Sequence, residues 1–347
     1  MAPPFLATLV AVWLHGVLGA TEVPLWGWVL LVVAVDVSHV YSTLFRTYFD
    51  PTELRQRPLL YGLTPLACFT VGLVLYSRSD LIFWRVLAYL AVFHFVRQAY
   101  GFMRLYGRKE RNSPAWCRWI DACAIYLATL YPIIWWHAHL PRAYDWFIKG
   151  DFAPIDLGTF VTVTLGLYLV SLIAFAAKEA WLWLRGDGPN FPRIGLLAGT
   201  ALSWWMGIVV FNADLAFTVT NIVAHGIPYV ALIWVYGRKR ALQRPGWRVA
   251  GRWDAARFFV PRLVPLFLAL LFLFAWVEEG FWDGLVWREH LSAFGLFQSL
   301  PNLMGSPHLL WVVPLLAMPQ ATHYVLDGFI WRVRGKKADW KEGFENQ

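Results

Sequence analysis

The sequence predicts an all-α fold, a polytopic membrane bundle of about ten transmembrane helices in a single domain, residues 1–347. Two features of the composition lead to this prediction. Hydrophobic residues make up 59% of the chain and charged residues only 15%, whereas a soluble domain has about 25% charged residues. The chain also contains 22 tryptophans, a residue that collects at membrane–water interfaces.

Ten apolar segments approach the length of about 20 residues that a helix needs to cross the hydrocarbon core. They cover residues 4–20, 22–44, 60–77, 81–103, 114–136, 157–177, 195–211, 215–236, 259–277 and 309–330. The first segment could instead be a cleaved signal peptide, but the start Met1-Ala2-Pro3-Pro4 lacks the basic residues of such a leader.

The basic residues orient the chain. They cluster at 46–57, 104–111, 178–193, 238–257 and 332–337. With ten spans all five clusters fall on one side, which the positive-inside rule makes the cytoplasm. We therefore expect both termini in the cytoplasm of a multi-pass protein of the cell (inner) membrane. Topology and anionic lipid account for the net charge of +8, so membrane lipids are expected partners and nucleic acid is not.

Four of the predicted spans carry a histidine within the membrane, and each histidine has an amide or carboxylate three or four residues away. The pairs are Asp36 with His39, His94 with Gln98, Asn221 with His225, and His323 with both Gln320 and Asp327. This spacing places the members of a pair on one helix face. Polar groups are costly in the bilayer core and usually functional there.

The four histidines are expected at similar depth. The next basic residue at the cytoplasmic end of the span follows each of them after 7 to 13 positions, which places them roughly 10–20 Å inside the cytoplasmic boundary. All four spans run in the same direction, so the imidazoles can converge on one point, as they do in the metal sites of helix bundles.

Neutral imidazole is a good ligand for iron, copper and zinc, and each ligand usually donates its other N–H to a polar neighbour. We therefore predict His39, His94, His225 and His323 as metal ligands. Gln98, Asn221 and Gln320 are predicted to support the cofactor, and Asp36, Arg97 and Asp327 to be catalytic.

The ligand type favours non-haem iron, as one or two ions, with haem or zinc as alternatives. The three cysteines form no C-x-x-C pair, which argues against a thiolate site. Open coordination positions would bind dioxygen, and the apolar surroundings would admit a lipophilic small-molecule substrate. The pattern thus predicts a membrane oxygenase.

Arg97 lies too deep in its span to reach the interface easily and needs a partner. It could form an ion pair with Asp36 or Asp327, or hold the carboxylate or phosphate of an amphipathic substrate. His137 and His139, at the outer end of the fifth span, could bind metal, although such a pair is more often solvated.

These segments resemble the Brp/Blh family, membrane β-carotene 15,15′-dioxygenases that make retinal. The resemblance rests on His39, on His94-Phe95, on His225, and on the stretch from His323 through Asp327 to Arg332. It implies a polytopic helical fold, histidine-ligated iron and oxidative cleavage. The chain differs from the family pattern in that Asp36 precedes its histidine and Asn221 stands where a second histidine is expected.

A transporter or proton-coupled carrier is the alternative function, because intramembrane histidine, aspartate and arginine residues also form proton relays. The sequence shows no repeat of one half in the other, a feature of many transporters. A purely structural or assembly role is a third possibility.

Overall fold

The computed structural model describes residues 2–18, 22–109, 114–243 and 255–331. The regular elements of these residues are all helical, which confirms the predicted all-α class. The α-helices are α1 Ala2–Leu18, α2 Leu25–Trp28, α3 Ser38–Arg46, α4 Pro51–Gln56, α5 Pro58–Arg78, α6 Asp80–Tyr106, α7 Ala115–Ala138, α8 Thr159–Leu184, α9 Phe191–Trp204, α10 Asp214–Gln243, α11 Val264–Trp282, α12 Leu309–Leu316 and α13 Met318–Ile330. Three π-helical segments continue or link them, namely π1 Val29–Val37, π2 Trp205–Val210 and π3 Asp283–Trp287.

Seven helical segments of the described chain are long and apolar enough to cross a membrane. They are Leu25–Arg46, Pro58–Arg78, Ala115–Ala138, Thr159–Leu184, Phe191–Val210, Asp214–Gln243 and Pro261–Trp287. Helices α12 and α13 make an eighth if their 42° bend lies within one broken span. The chain is thus a helical membrane protein by length and composition.

Two of the ten expected spans are not among these segments. The apolar part of α1, Ala2–His15, is short. Helix α6 has 27 residues, enough to cross the hydrocarbon core, but charged side chains interrupt its apolar sequence at Asp80, Arg85, Arg97 and Arg104. The count of ten spans and the cytoplasmic termini stay predictions.

The described chain divides into two compact units. The first combines Met1–Pro24 with Trp84–His225. Within it α7 packs against α8 and α9, and α9 packs against α1. Gly199 permits the last contact, because a Cβ at this position would lie 3.0 Å from the Cβ of Pro4. An aromatic core that includes Trp136, Tyr144 and Phe152 joins α7 to the loop before α8.

Buried charges tie together α7, α8 and α9 in this unit. Lys178 forms ion pairs with Asp121 and with Glu179, the latter at 2.6 Å. Arg193 pairs with the same two carboxylates, at 3.5 Å and 2.6 Å. This corrects one part of the sequence interpretation, which counted Lys178 and Arg193 as loop charges. Both are buried in helices, because two carboxylates neutralise them there.

The second unit combines Leu25–Phe83 with Gly226–Gln347. Helix α11 packs against π1 and α3, α5 packs against α12 and α13, and α3 contacts α13. Pro319 lies in the first turn of α13, where its missing N–H needs no helical partner. The bend between α12 and α13 lies at Ala317, six residues before His323.

A second ionic cluster joins α3, α4 and α10 in this unit. Glu53 forms ion pairs with Arg46 at 3.0 Å and Arg240 at 3.2 Å, and it accepts a hydrogen bond from the hydroxyl of Tyr61 at 2.8 Å. Burial alone would raise the pKa of Glu53, but Arg46, Tyr61 and Arg240 lower it to about 2. Asp50 caps the N-terminus of α4 by accepting from the backbone N–H of Thr52 and Glu53.

Candidate metal centre

His39 on α3 and His323 on α13 form the first histidine pair. Their ring centroids are 4.9 Å apart and nearly perpendicular, and the two residues are 1% and 2% exposed. The contact of α3 with α13 positions them. The π-helical segment π1 ends directly before α3, and such segments often occur at functional sites.

A hydrogen-bond network fixes the ring of His323. The hydroxyl of Thr43 lies 2.7 Å from Nδ1 of His323 and 2.9 Å from the hydroxyl of Tyr229. Tyr229 in turn donates to Oδ1 of Asp327 at 2.5 Å. Because Thr43 occupies Nδ1, Nε2 of His323 is the nitrogen that can bind a metal.

The two predicted catalytic carboxylates lie beside the Nδ1 atoms of this pair. Asp36 is 3.5 Å from Nδ1 of His39, and Asp327 is 3.9 Å from Nδ1 of His323. Both distances exceed a good hydrogen bond. The carboxylates can therefore balance positive charge next to the imidazoles without coordinating it.

His94 on α6 and His225 on α10 form the second pair. Their ring centroids are also 4.9 Å apart. Phe95 stacks on the ring of His225 at 3.5 Å with an interplanar angle of 8°. Gln98 donates from Nε2 to the backbone carbonyl of His225 at 2.9 Å, so it holds the helix at this residue and not the imidazole.

The four histidines form one group. Each offers one ligand nitrogen, and these nitrogens all lie within 4.8 Å of one another. Each residue is at most 4% exposed. Two nitrogens bound to one ion at about 2.0–2.1 Å are at most roughly 4.2 Å apart, so this separation is close to the dimension of a metal site but wider than a bound ion requires.

The remaining predicted site residues have other partners. Asn221 donates to the carbonyl of Phe217, one turn earlier on its own helix, and Gln320 donates to the hydroxyl of Tyr324. Arg97 donates to the hydroxyl of Tyr126. Its contacts in the described part of the chain include no carboxylate, neither Asp36 nor Asp327.

The histidines outside the group have different surroundings. His137 has a partner at each ring nitrogen, the hydroxyl of Tyr89 and the carbonyl of Ile133, both at 2.7 Å. His139 lies 2.7 Å from the carbonyl of Trp135 and stacks on its ring. The only histidine metal group found among the described residues is His39, His94, His225 and His323.

Sequence reasoning missed Thr43 and left the role of Tyr229 open. The signal was present, because each lies four residues after a predicted ligand and so one helical turn away. The hydrogen-bond partner of each hydroxyl could not be predicted from the sequence, because Thr43 on α3 contacts the ring of His323 on a different helix, α13.

Comparisons of this chain with protein-family models, with curated proteins and with solved structures found no match.

Proposed function

We propose that His39, His94, His225 and His323 bind non-haem iron and that the protein is a membrane oxygenase acting on an apolar or amphipathic lipid-like substrate. The observation that carries the proposal is the buried group of four ligand nitrogens within 4.8 Å of one another. A single buried histidine is usually a packing residue. Four buried histidines on separate helices can instead build a metal site, as in other helix bundles.

The donor set favours iron over the alternatives. All four donors are nitrogens, and Asp36 and Asp327 lie beside them to offset the charge of a divalent ion. Haem would need a macrocycle-sized opening beside rings that are at most 4% exposed. Zinc hydrolysis would need water at the site, which a site among apolar membrane spans does not favour. When bound, iron would supply the activation of dioxygen.

The residues around the histidines would orient the ligands and balance the charge of the ion, whichever oxidation the protein catalyses. Thr43 orients His323, and Phe95 holds the plane of His225 by stacking. Asp36 and Asp327 stabilise the positively charged site. Because lipid surrounds the apolar helices, a lipid-like substrate can enter from the bilayer, and bulk water is kept from the site.

The experiment uses the full chain, loaded with Fe(II) in lipid nanodiscs that contain a total lipid extract. We expect ¹⁸O from ¹⁸O₂ to appear in a lipid product, and the incorporation to stop in a His323→Ala variant. His139→Ala is the matched control and should retain incorporation. Iron-loaded protein that consumes no dioxygen and labels no lipid would contradict the proposal.

A carrier is the second candidate, favoured by two observations. Helices α12 and α13 form a bent pair, the geometry of many transporter sites. Glu278 on α11 is a buried carboxylate, 8% exposed, within a candidate span. In proteoliposomes, proton flux that depends on His39 and Glu278 without bound metal would establish the carrier in place of the oxygenase.

A further inference from the structure

Arg97 presents its guanidinium on an exposed face of α6. Nη1 donates to the hydroxyl of Tyr126 at 2.5 Å, and the guanidinium lies 5.2 Å from the ring centroid of Tyr100. In the described part of the chain Arg97 has no carboxylate partner. Its remaining donors, Nε and Nη2, form the fork that binds a carboxylate through two hydrogen bonds.

The depth of this guanidinium follows from its partner. Tyr126 lies 11 residues after the start of α7 and 12 before its end, about 16–18 Å from either end. Helix α7 is one of the candidate spans. Its contact with α6 continues at Tyr89 and His137. Arg97 is thus held near the middle of a membrane-spanning helix.

The face of α6 that carries Arg97 is apolar on the side that precedes it. Val86 and Phe93 are 43% and 62% exposed, and the spacing 86, 93, 97 and 101 places these positions in one stripe. A Cβ on Gly101 would meet no atom within 4 Å, which leaves an open notch one turn from Arg97. A charged side chain on such a surface is costly unless it is neutralised.

We propose that Arg97, Tyr100 and Tyr126 anchor the carboxylate of a membrane-soluble substrate, a long-chain carboxylic acid whose head occupies the notch at Gly101. This inference rests on the proposed function and names its substrate class. One carboxylate matches the single charge of Arg97. Tyr126 accepts from Arg97, so its own O–H can donate to the same carboxylate.

Depth separates this ligand from the head group of a bilayer phospholipid. Arg97 lies nine residues before the end of α6 at Tyr106, about 13 Å inside that end. A phosphodiester head group stays at the interface, whereas a carboxylic acid can enter hydrocarbon in its neutral form.

The anchor also fixes which part of the substrate lies near the histidines. Arg97 follows His94 by three residues, a spacing that brings Cβ atoms to about 5–6 Å on a helix. The half of the substrate that carries the carboxyl group would therefore lie nearer the histidines than its distal tail, which would remain in the lipid.

The experiment measures binding of palmitate, and of hexadecanol as its neutral analogue, to the full chain in phosphatidylcholine nanodiscs. We expect Arg97→Gln to weaken palmitate binding roughly tenfold or more and to leave hexadecanol binding unchanged. Arg97→Lys should recover part of the loss. Arg85→Gln, which changes a basic residue of the same helix twelve positions before Arg97, is the control and should bind palmitate as the wild type does. Gly101→Leu should weaken the binding of both ligands by filling the notch.

Equal binding of palmitate by the wild type and by Arg97→Gln would overturn the anchor, as would palmitate binding no tighter than that of hexadecanol. Competition by phosphatidylglycerol at the same concentration as palmitate would assign the site to a lipid head group instead. Metal content, measured on the same samples, reports the proposed function separately, because Arg97 is not a predicted ligand. If the protein binds metal but Arg97→Gln does not change palmitate binding, only the proposed anchor is rejected. If the wild-type protein contains no metal, the proposed oxygenase function is rejected.

Discussion

Gly226 lies directly against Val35, so that a Cβ on the glycine would stand 2.9 Å from Cγ1 of Val35 and 3.0 Å from its carbonyl oxygen. Gly226 follows the ligand candidate His225, and Val35 precedes Asp36. The close approach of α10 to π1 therefore depends on the missing side chain, next to two residues of the candidate site.

Gly226→Ala is expected to lower both stability and metal content. The added methyl group forces the helix away from Val35, which costs about 1–3 kcal/mol as overpacking does in other cores. Scanning fluorimetry and metal analysis of the purified variant measure the two effects. Gly166→Ala in α8 is the control, because its Cβ would meet nothing within 4 Å and alanine favours the helix. A Gly226→Ala variant as stable and as metal-rich as Gly166→Ala would refute this account of the contact.

Thr43→Val is expected to weaken metal binding about 10- to 100-fold, the usual cost of losing a hydrogen bond that orients a ligand. Valine keeps the shape of threonine but cannot bond to His323 or Tyr229. Competition with a chelator of known affinity measures the change. Thr129→Val tests the same substitution at a buried site whose hydroxyl bonds only to backbone carbonyls, and it should keep wild-type affinity. Unchanged affinity in Thr43→Val would remove Thr43 from the site.

The candidate ligands could be predicted from the sequence because their spacing within single helices is a local signal. Depth and direction along four spans predicted His39, His94, His225 and His323. The contacts between helices could not be predicted in this way. Neither the contact of Thr43 with His323 nor that of Gly226 with Val35 has a local signature, because each joins residues far apart in the chain.

The fold was predictable where hydropathy is unambiguous. Eight of the expected spans correspond to candidate segments or to the bent pair α12–α13. The assignment of Lys178 to a loop from the pattern of basic residues was wrong, because Lys178 is buried against Asp121, a carboxylate 57 residues earlier. The three π-helical segments have no sequence signal that we recognise.

Glu53 gives stability a defined pH dependence. Its folded pKa of about 2 lies below the ordinary value of 4.5, so its contribution is present above about pH 4.5 and is lost as pH falls toward 2. Glu53→Gln should lower stability at pH 7 by about 3–5 kcal/mol, since it leaves the buried Arg46 without its carboxylate. The difference in melting temperature between wild type and variant should hold from pH 7 to 5 and shrink below pH 4.5.

The control for this series is Glu289→Gln, which removes an exposed carboxylate and should track the wild type at every pH. A difference in melting temperature between wild type and Glu53→Gln that stays constant down to pH 3 would show that Glu53 does not act through its charge.

Lys178→Met is expected to destabilise the protein by several kcal/mol, because Asp121 and Glu179 would share Arg193 as their only remaining cation within the cluster. Adding Asp121→Leu removes the excess charge and should restore much of the loss. Chemical denaturation in detergent measures both variants. Lys149→Met, at an exposed loop position, should have no effect. A double variant less stable than Lys178→Met alone would contradict a charge-balance role.

The most direct test of the metal centre is the metal content of the full-length protein purified without chelator, with an optical spectrum to detect haem. We expect stoichiometric iron without a haem band, and a loss of most of it in each of His39→Ala, His94→Ala, His225→Ala and His323→Ala. His137→Ala, the loss of a buried histidine outside the group, should keep its metal. Folded wild-type protein without metal, or four histidine variants that retain it, would contradict the assignment.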